Sequence, residues 1–160
     1  MRHSKAEVAS GLSDELRPLA PRGREQSSSF GAELAQAAGP FDVALVSAAL
    51  RTTGTYKLLS GSSPSYPAPR TSAELYGASP RTLLDMLRKL DESAHRVIVV
   101  GHEPVMSALA HLLHDEWDST ATQLSIGIPT ATAVIIDVPG KWAELDRQSG
   151  HVRTMLRPEG

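Results

Sequence analysis

Cysteine is absent from all 160 residues, which excludes a disulfide framework, a thiolate zinc site, an iron–sulfur cluster and a cysteine nucleophile. Aromatic residues make up only 4% of the chain, and there is no excess of basic charge: Lys+Arg at 16 against Asp+Glu at 18 leaves a formal charge of -2. That balance supplies no positive field for nucleic acid. Long apolar runs are missing as well. Val97 to Gly101 and Ala131 to Val138 fall far short of the roughly 20 residues that cross a bilayer, and the opening Met1-Arg2-His3-Ser4-Lys5 has no signal-peptide core. The expectation is one soluble, cytoplasmic domain, residues 1–160, without nucleic-acid or membrane partners. Its 41% hydrophobic residues suffice for a single core.

What is present has a βα rhythm. Asp42 to Ser47 and Arg96 to Gly101 are short, largely aliphatic runs that read as buried parallel strands. Each leads into helical periodicity. Ala49, Leu50, Thr53, Tyr56 and Leu59 follow the first, and Val105, Leu109, Leu112 and Leu113 follow the second behind Pro104. Ser79-Pro80 is an N-cap and N1 pair before Leu83, Leu84, Leu87 and Leu90, and a further helix is predicted from Arg24 to Ala38, closed by Gly39-Pro40. Ser60 to Ser72, rich in Pro and Ser, reads as a loop bordering the site. Ala131 to Val138, Trp142 to Leu145 and Val152 to Leu156 read as late strands, the antiparallel edge of an otherwise parallel sheet. The fold class is therefore α/β, a three-layer α/β/α sandwich.

Three segments could carry chemistry: Arg2-His3, Ser47 with Arg51 four residues on, and Gly101-His102-Glu103-Pro104. The second and third lie just past the carboxyl ends of predicted parallel strands, where open α/β sheets gather ligands. Two arginines and two histidines converging there suit a phosphoryl group, because guanidinium forks match phosphate oxygens and helix N-termini favour anions. Taken singly, Arg2-His3 reads as a frayed terminus, Arg51 as a solvated side chain and His102 as a cap. Their joint placement weakens those readings. His111 and His114 with Asp115 resemble a metal set, but histidines in a last helical turn read as dipole partners. Lys5 has two readings, a cation that helps attract phosphate and, favoured over it, an exposed residue just past the first segment.

Arg2-His3-Ser4-Lys5-Ala6, Ser47-Ala48-Ala49-Leu50-Arg51-Thr52 with Thr55, and Val99-Val100-Gly101-His102-Glu103-Pro104 resemble, in order and spacing, the signature segments of the histidine phosphatase superfamily. They are most similar to its short branch of SixA-like phosphohistidine phosphatases. Arg17-Pro18-Leu19 with Gly23, Glu74-Leu75-Tyr76, and Pro129-Thr130-Ala131 extend the resemblance over nearly the whole chain. It implies a phosphoglycerate mutase-like fold, with His3 as nucleophile and with Arg2, Arg51 and His102 around the phosphate. It implies a phosphorylated protein as partner and substrate, or else a small phosphate ester. No cofactor or metal is expected, since two guanidiniums and a protonated His102 would compensate the phosphate charge. Glu74 matches the acid of longer relatives, and Glu103 stands where the acid-phosphatase branch has one; both are candidates for the leaving-group proton, and Glu103 also borders the phosphate.

The sequence departs from that pattern at its start. Members of the family begin with an apolar strand, whereas only Met1 precedes Arg2 here, so a central strand is expected to be truncated, with unpaired backbone and an apolar slot on its neighbours. This implies either a longer protein or an impaired one, and a non-catalytic phosphate-binding module is the alternative to an enzyme. Ala48 replaces a usual Pro, and Glu103 a frequent Asn.

Overall fold

The computed structural model describes residues 1–159. β1 (Val43–Ser47) lies at the centre of a parallel sheet, between β2 (Arg70–Ser72) and β3 (Val97–Val100), with Leu45 paired to Arg70 on one side and to Val99 on the other. Every residue of β1 is buried, as expected of a strand covered on both faces. Its alternate residues serve two cores. Ala44 and Val46 face Phe30 and Leu34 of α1 (Pro21–Ala38) and Tyr56 and Leu59 of α2 (Leu50–Gly61). Val43 and Leu45 face Leu83, Leu84 and Leu87 of α3 (Pro80–Arg88) and Leu109 and Leu113 of α4 (Val105–Leu113). These helices form the outer layers of a three-layer α/β/α sandwich. β4 (Ala133–Asp137) and β5 (His151–Leu156) make an antiparallel pair with an irregularity between Ile135 and Ile136.

Between β3 and β4 the sheet is held together only at its top. Gly101 N–H donates to Met1 O (3.1 Å), His3 N–H to Gly101 O (3.0 Å), Arg2 N–H to Thr132 O (3.0 Å) and Ala131 N–H to His3 O (3.0 Å). Beneath these contacts no strand separates β3 from β4 among the described residues. A cavity of about 520 Å³ opens there, lined by Ile98 and Val99, Ala133 to Ile136, and Leu34 and Phe41. A second, of about 140 Å³, opens on the opposite face against Leu83, Leu87 and Leu113; both are lined by Met1, Val97, Val99, Val134 and Ile136. This slot leaves Val97 and Val99 only partly buried. The Met1 amine sits within it, donating to Val99 O (2.8 Å). Burial lowers the pKa of that amine from 8.0 to about 5, against the opposing pull of Glu103.

Three local readings are corrected. Trp142–Glu144 is a 3-10 turn rather than a strand, anchored by Trp142 Nε1 donating to Ala94 O (2.6 Å). The Ser60 to Ser72 loop ends in strand β2, whose exposed Arg70 and Thr71 show no apolar alternation. α1 starts at Pro21, and a helix unmarked by strong periodicity, α5 (Ser119–Ile126), begins behind Asp118, whose carboxylate accepts from Ala121 N–H (2.9 Å).

Candidate active site

Three chain segments meet at the carboxyl ends of the parallel strands. β1 ends at Ser47, whose carbonyl accepts from Thr52 Oγ1 (2.7 Å); this turns the chain into α2 and places Arg51 in its first turn. β3 ends at Gly101, where a Cβ would come within 2.8 Å of Met106 Cε, a flexible side-chain end that can move aside, and the next residue is His102. The N-terminal segment is fixed from below by its sheet bonds and from the side by a buried relay. Ser4 N–H donates to Thr55 Oγ1 (3.0 Å), Thr55 Oγ1 donates to Arg51 O (2.7 Å), and Ser27 Oγ donates to Ser4 Oγ (2.8 Å).

His3 Nδ1 lies 2.7 Å from Ser4 O. A carbonyl only accepts, so Nδ1 carries the proton and Nε2 presents its lone pair. That lone pair faces Arg51 Nε at 3.2 Å. Burial, partly offset by the Ser4 carbonyl, and then the Arg51 and Arg2 charges lower the His3 pKa from 6.5 to about 4. The His102 ring stands 5.3 Å from the His3 ring and its Nε2 meets Ser47 Oγ at 2.8 Å. Burial and then Arg51 bring the His102 pKa to about 4 as well. Both imidazoles are therefore neutral at pH 7 before an anion arrives, whereas the protonated His102 expected from the sequence belongs to the phosphate-bound state. Arg2 Nη1 donates to Ile128 O (2.7 Å), while its Nε and His102 Nδ1 are buried without protein partners.

Two residues not singled out from the sequence complete the cluster. Arg51 Nη1 donates to Asp14 O (2.6 Å) and Nη2 to Asp14 Oδ2 (2.8 Å), and Tyr76 Oη donates to the same Oδ2 (2.6 Å). Tyr76 and Arg51 hold the Asp14 pKa down at about 2, and Asp14 raises that of Tyr76 in return. The Tyr76 ring lies 5.4 Å from His102 and 5.8 Å from the Arg51 guanidinium carbon. Arg17, noted only as part of Arg17-Pro18-Leu19, also reaches Asp14 (2.8 Å). A Ser-Asp pair ahead of an arginine was the available signal.

The structure thus brings Arg2, His3, Arg51 and His102 together. Glu74 does not join them as expected: it is exposed, and its side chain forms no hydrogen bond or ion pair, because the turn that begins with Glu74 N–H on Ser72 Oγ (3.2 Å) brings Tyr76 inward instead. Glu103 is tucked under the site, its Oε2 accepting from Ser107 Oγ (2.5 Å) and its Oε1 buried without a partner. Among the described residues, His114, Asp115 and His151 form the one group with metal-ligand spacing, their ligand atoms within 4.8 Å of one another. Both His114 nitrogens already serve the fold, Nδ1 accepting from Val152 N–H (3.1 Å) and Nε2 meeting Asp118 (3.2 Å). His114 caps the far end of α4 from His102.

Two guanidiniums and two neutral imidazoles at the head of a parallel sheet define an α/β protein equipped for a tetrahedral anion. No family model matches the sequence. An uncharacterised protein of Mycobacterium tuberculosis is 33% identical over 149 residues, 91% of this chain and 92% of that protein. The solved structure of a candidate phosphohistidine phosphatase SixA from Nakamurella multipartitia superimposes with a TM-score of 0.86 at 27% identity, covering 100% of this chain and 94% of that one. The protein histidine phosphatase SixA complexed with tungstate shares the fold, with a TM-score of 0.81 at 20% identity over 99% of this chain and 94% of its own. The chain belongs to the histidine phosphatase superfamily, in its SixA-like branch, and is accordingly placed among the phosphatases. No helix among the described residues is long and apolar enough to cross a membrane.

Proposed function

We propose that the protein removes phosphoryl groups through a phosphohistidine intermediate on His3, and that its substrate is phosphohistidine on another protein. The observation that carries this reading is the His3 tautomer: with Nδ1–H held on Ser4 O, the Nε2 lone pair is available to attack phosphorus. The arriving phosphoryl group takes over the Arg51 N–H that now rests on Nε2. The Nε2–P bond forms as the bond to the leaving group breaks, and the leaving imidazole departs neutral because the other nitrogen of the protonated phosphohistidine ring already carries its proton. Water then attacks phosphorus, the Nε2–P bond breaks, and orthophosphate leaves with His3 again neutral. Arg2 and Arg51 balance the charge throughout, which is the reason to expect metal-independent turnover. A phosphoryl dianion beside His102 favours its protonated form, so this residue gains its charge on binding.

The mouth of the site supports a macromolecular substrate. Leu12, Leu16 and Leu50, 53%, 55% and 46% exposed, lie on the 7–17 loop and at the start of α2, beside Asp14 and Arg51. Exposed apolar side chains around a catalytic pocket suit contact with a protein surface. The test is brief reaction with labelled phosphohistidine peptide, an alkaline quench and peptide mapping. Acid-labile phosphate on His3, with turnover lost in His3→Ala, is expected. Label confined to another residue, or activity retained in His3→Ala, overturns the reading. Hydrolysis of aryl phosphate alone, with phosphohistidine refused, moves the assignment to small esters.

A further inference from the structure

Behind the nucleophile segment lies a cavity of about 340 Å³ that the chemistry above does not use. Lys5, Arg22 and Arg157 line it together with Gln26 and Thr130. Three cations from three separate parts of the chain converge there, in a protein whose net charge is -2. Among the described residues no carboxylate lies within ion-pair distance of any of them. Like charges gathered without counter-charges repel, and such an arrangement is relieved by an anion.

Two further features fit the same ligand. α1 begins at Pro21 behind Ala20, which offers no side-chain cap, so the positive end of an 18-residue helix borders the cavity at Arg22. The helix is seated closely against the nucleophile segment: Ala20 N–H donates to Lys5 O (2.9 Å), and a Cβ on Gly23 would fall 2.0 Å from that oxygen. Gln26 Oε1 is buried without a partner, leaving an amide that can turn its NH2 to an incoming oxygen.

Position supplies the role. Lys5 is two residues from His3, at most about 7 Å of chain, and Thr130 adjoins Ala131, whose N–H donates to His3 O. We propose that this cavity is an anion subsite that receives a second negative group of the substrate, a carboxylate or phosphate lying beside the phosphoryl group that His3 removes. The proposal rests on the phosphatase reading and adds to it a preference for substrates with neighbouring negative charge.

The test compares wild type with the triple variant Lys5→Gln, Arg22→Gln, Arg157→Gln on four substrates: p-nitrophenyl phosphate, a phosphohistidine peptide with neutral flanks, the same peptide with aspartate flanks, and a small alkyl bisphosphate. The variant is expected to lose about tenfold in kcat/KM, through KM, on the acid-flanked peptide or the bisphosphate. It should stay within about twofold of wild type on the other two. Selective loss on the peptide identifies carboxylates as the natural group, and selective loss on the bisphosphate identifies a second phosphate. Equal loss on all four substrates, or none on any, overturns the subsite. Should wild type hydrolyse none of them, the phosphatase reading falls, and a titration with inorganic pyrophosphate followed by amide NMR shifts still reads the cavity. Shifts at Gly23 and Thr130 that vanish in the triple variant support the subsite, and their absence in wild type rejects it.

Discussion

Arg51 Nε donates to His3 Nε2 across 3.2 Å, while the other two guanidinium nitrogens of Arg51 are held by Asp14. One arginine therefore touches both the candidate nucleophile and the acidic residue that orients it. Of the five N–H groups of a guanidinium, two remain for a phosphate.

A first expectation concerns protonation. Free His3 and His102 should titrate near 4, followed by their Cε1–H NMR signals. After correction for the substrate's own ionisation, kcat/KM should not fall on the acid side until the pH approaches 4. A midpoint near 6.5 for His3 would show that burial and the arginines do not keep it neutral.

Acid lability follows from the same groups, with a definite sign. His3 and His102 stay neutral in the fold down to about 4 but protonate near 6.5 when unfolded, and the Met1 amine behaves likewise between 8.0 and about 5. In these windows the unfolded chain binds more protons, so stability falls as pH drops. Asp14 acts in the same sense at lower pH, contributing above 3.8 and losing that contribution towards 2. Melting temperature should decline steadily from pH 8 to 5, before carboxylates titrate. A flat profile there would contradict the buried amine and imidazoles.

Asp14→Asn should keep an acceptor for Arg51 but remove a negative charge from beside the phosphate position. Inorganic phosphate should then inhibit about threefold more tightly, with kcat reduced because the fork is less firmly held. Weaker phosphate inhibition would mean that orientation outweighs charge.

The two candidate proton donors separate by leaving group. Glu74 is exposed and Glu103 half-buried, so Glu74→Gln should remain within about twofold of wild type on every substrate. Glu103→Gln should slow alkyl phosphate by about a hundredfold and aryl phosphate far less. If neither variant shows the selective loss, water protonates the leaving group and only good leaving groups are turned over.

The parallel strands β1 and β3, the α2, α3 and α4 faces and the four His/Arg positions were legible because each depends on local pattern: aliphatic runs, helical spacing and residues at strand ends. Tyr76 and Asp14 were not, since their place comes from loops that meet only in the folded chain; Asp14 is 37 residues from Arg51 and 62 from Tyr76. Glu74 misled for a similar reason. A two-residue difference along an irregular segment decided which side chain turned inward. β2 escaped notice because an edge strand with exposed Arg70 and Thr71 needs no apolar alternation.

The gap between β3 and β4 has a practical side. The Met1 amine lies inside that gap on Val99 O, so residues joined ahead of it would start between β3 and β4. An extended leader of alternating aliphatic residues would zip between Val97 to Val99 and Ala133 to Ile136.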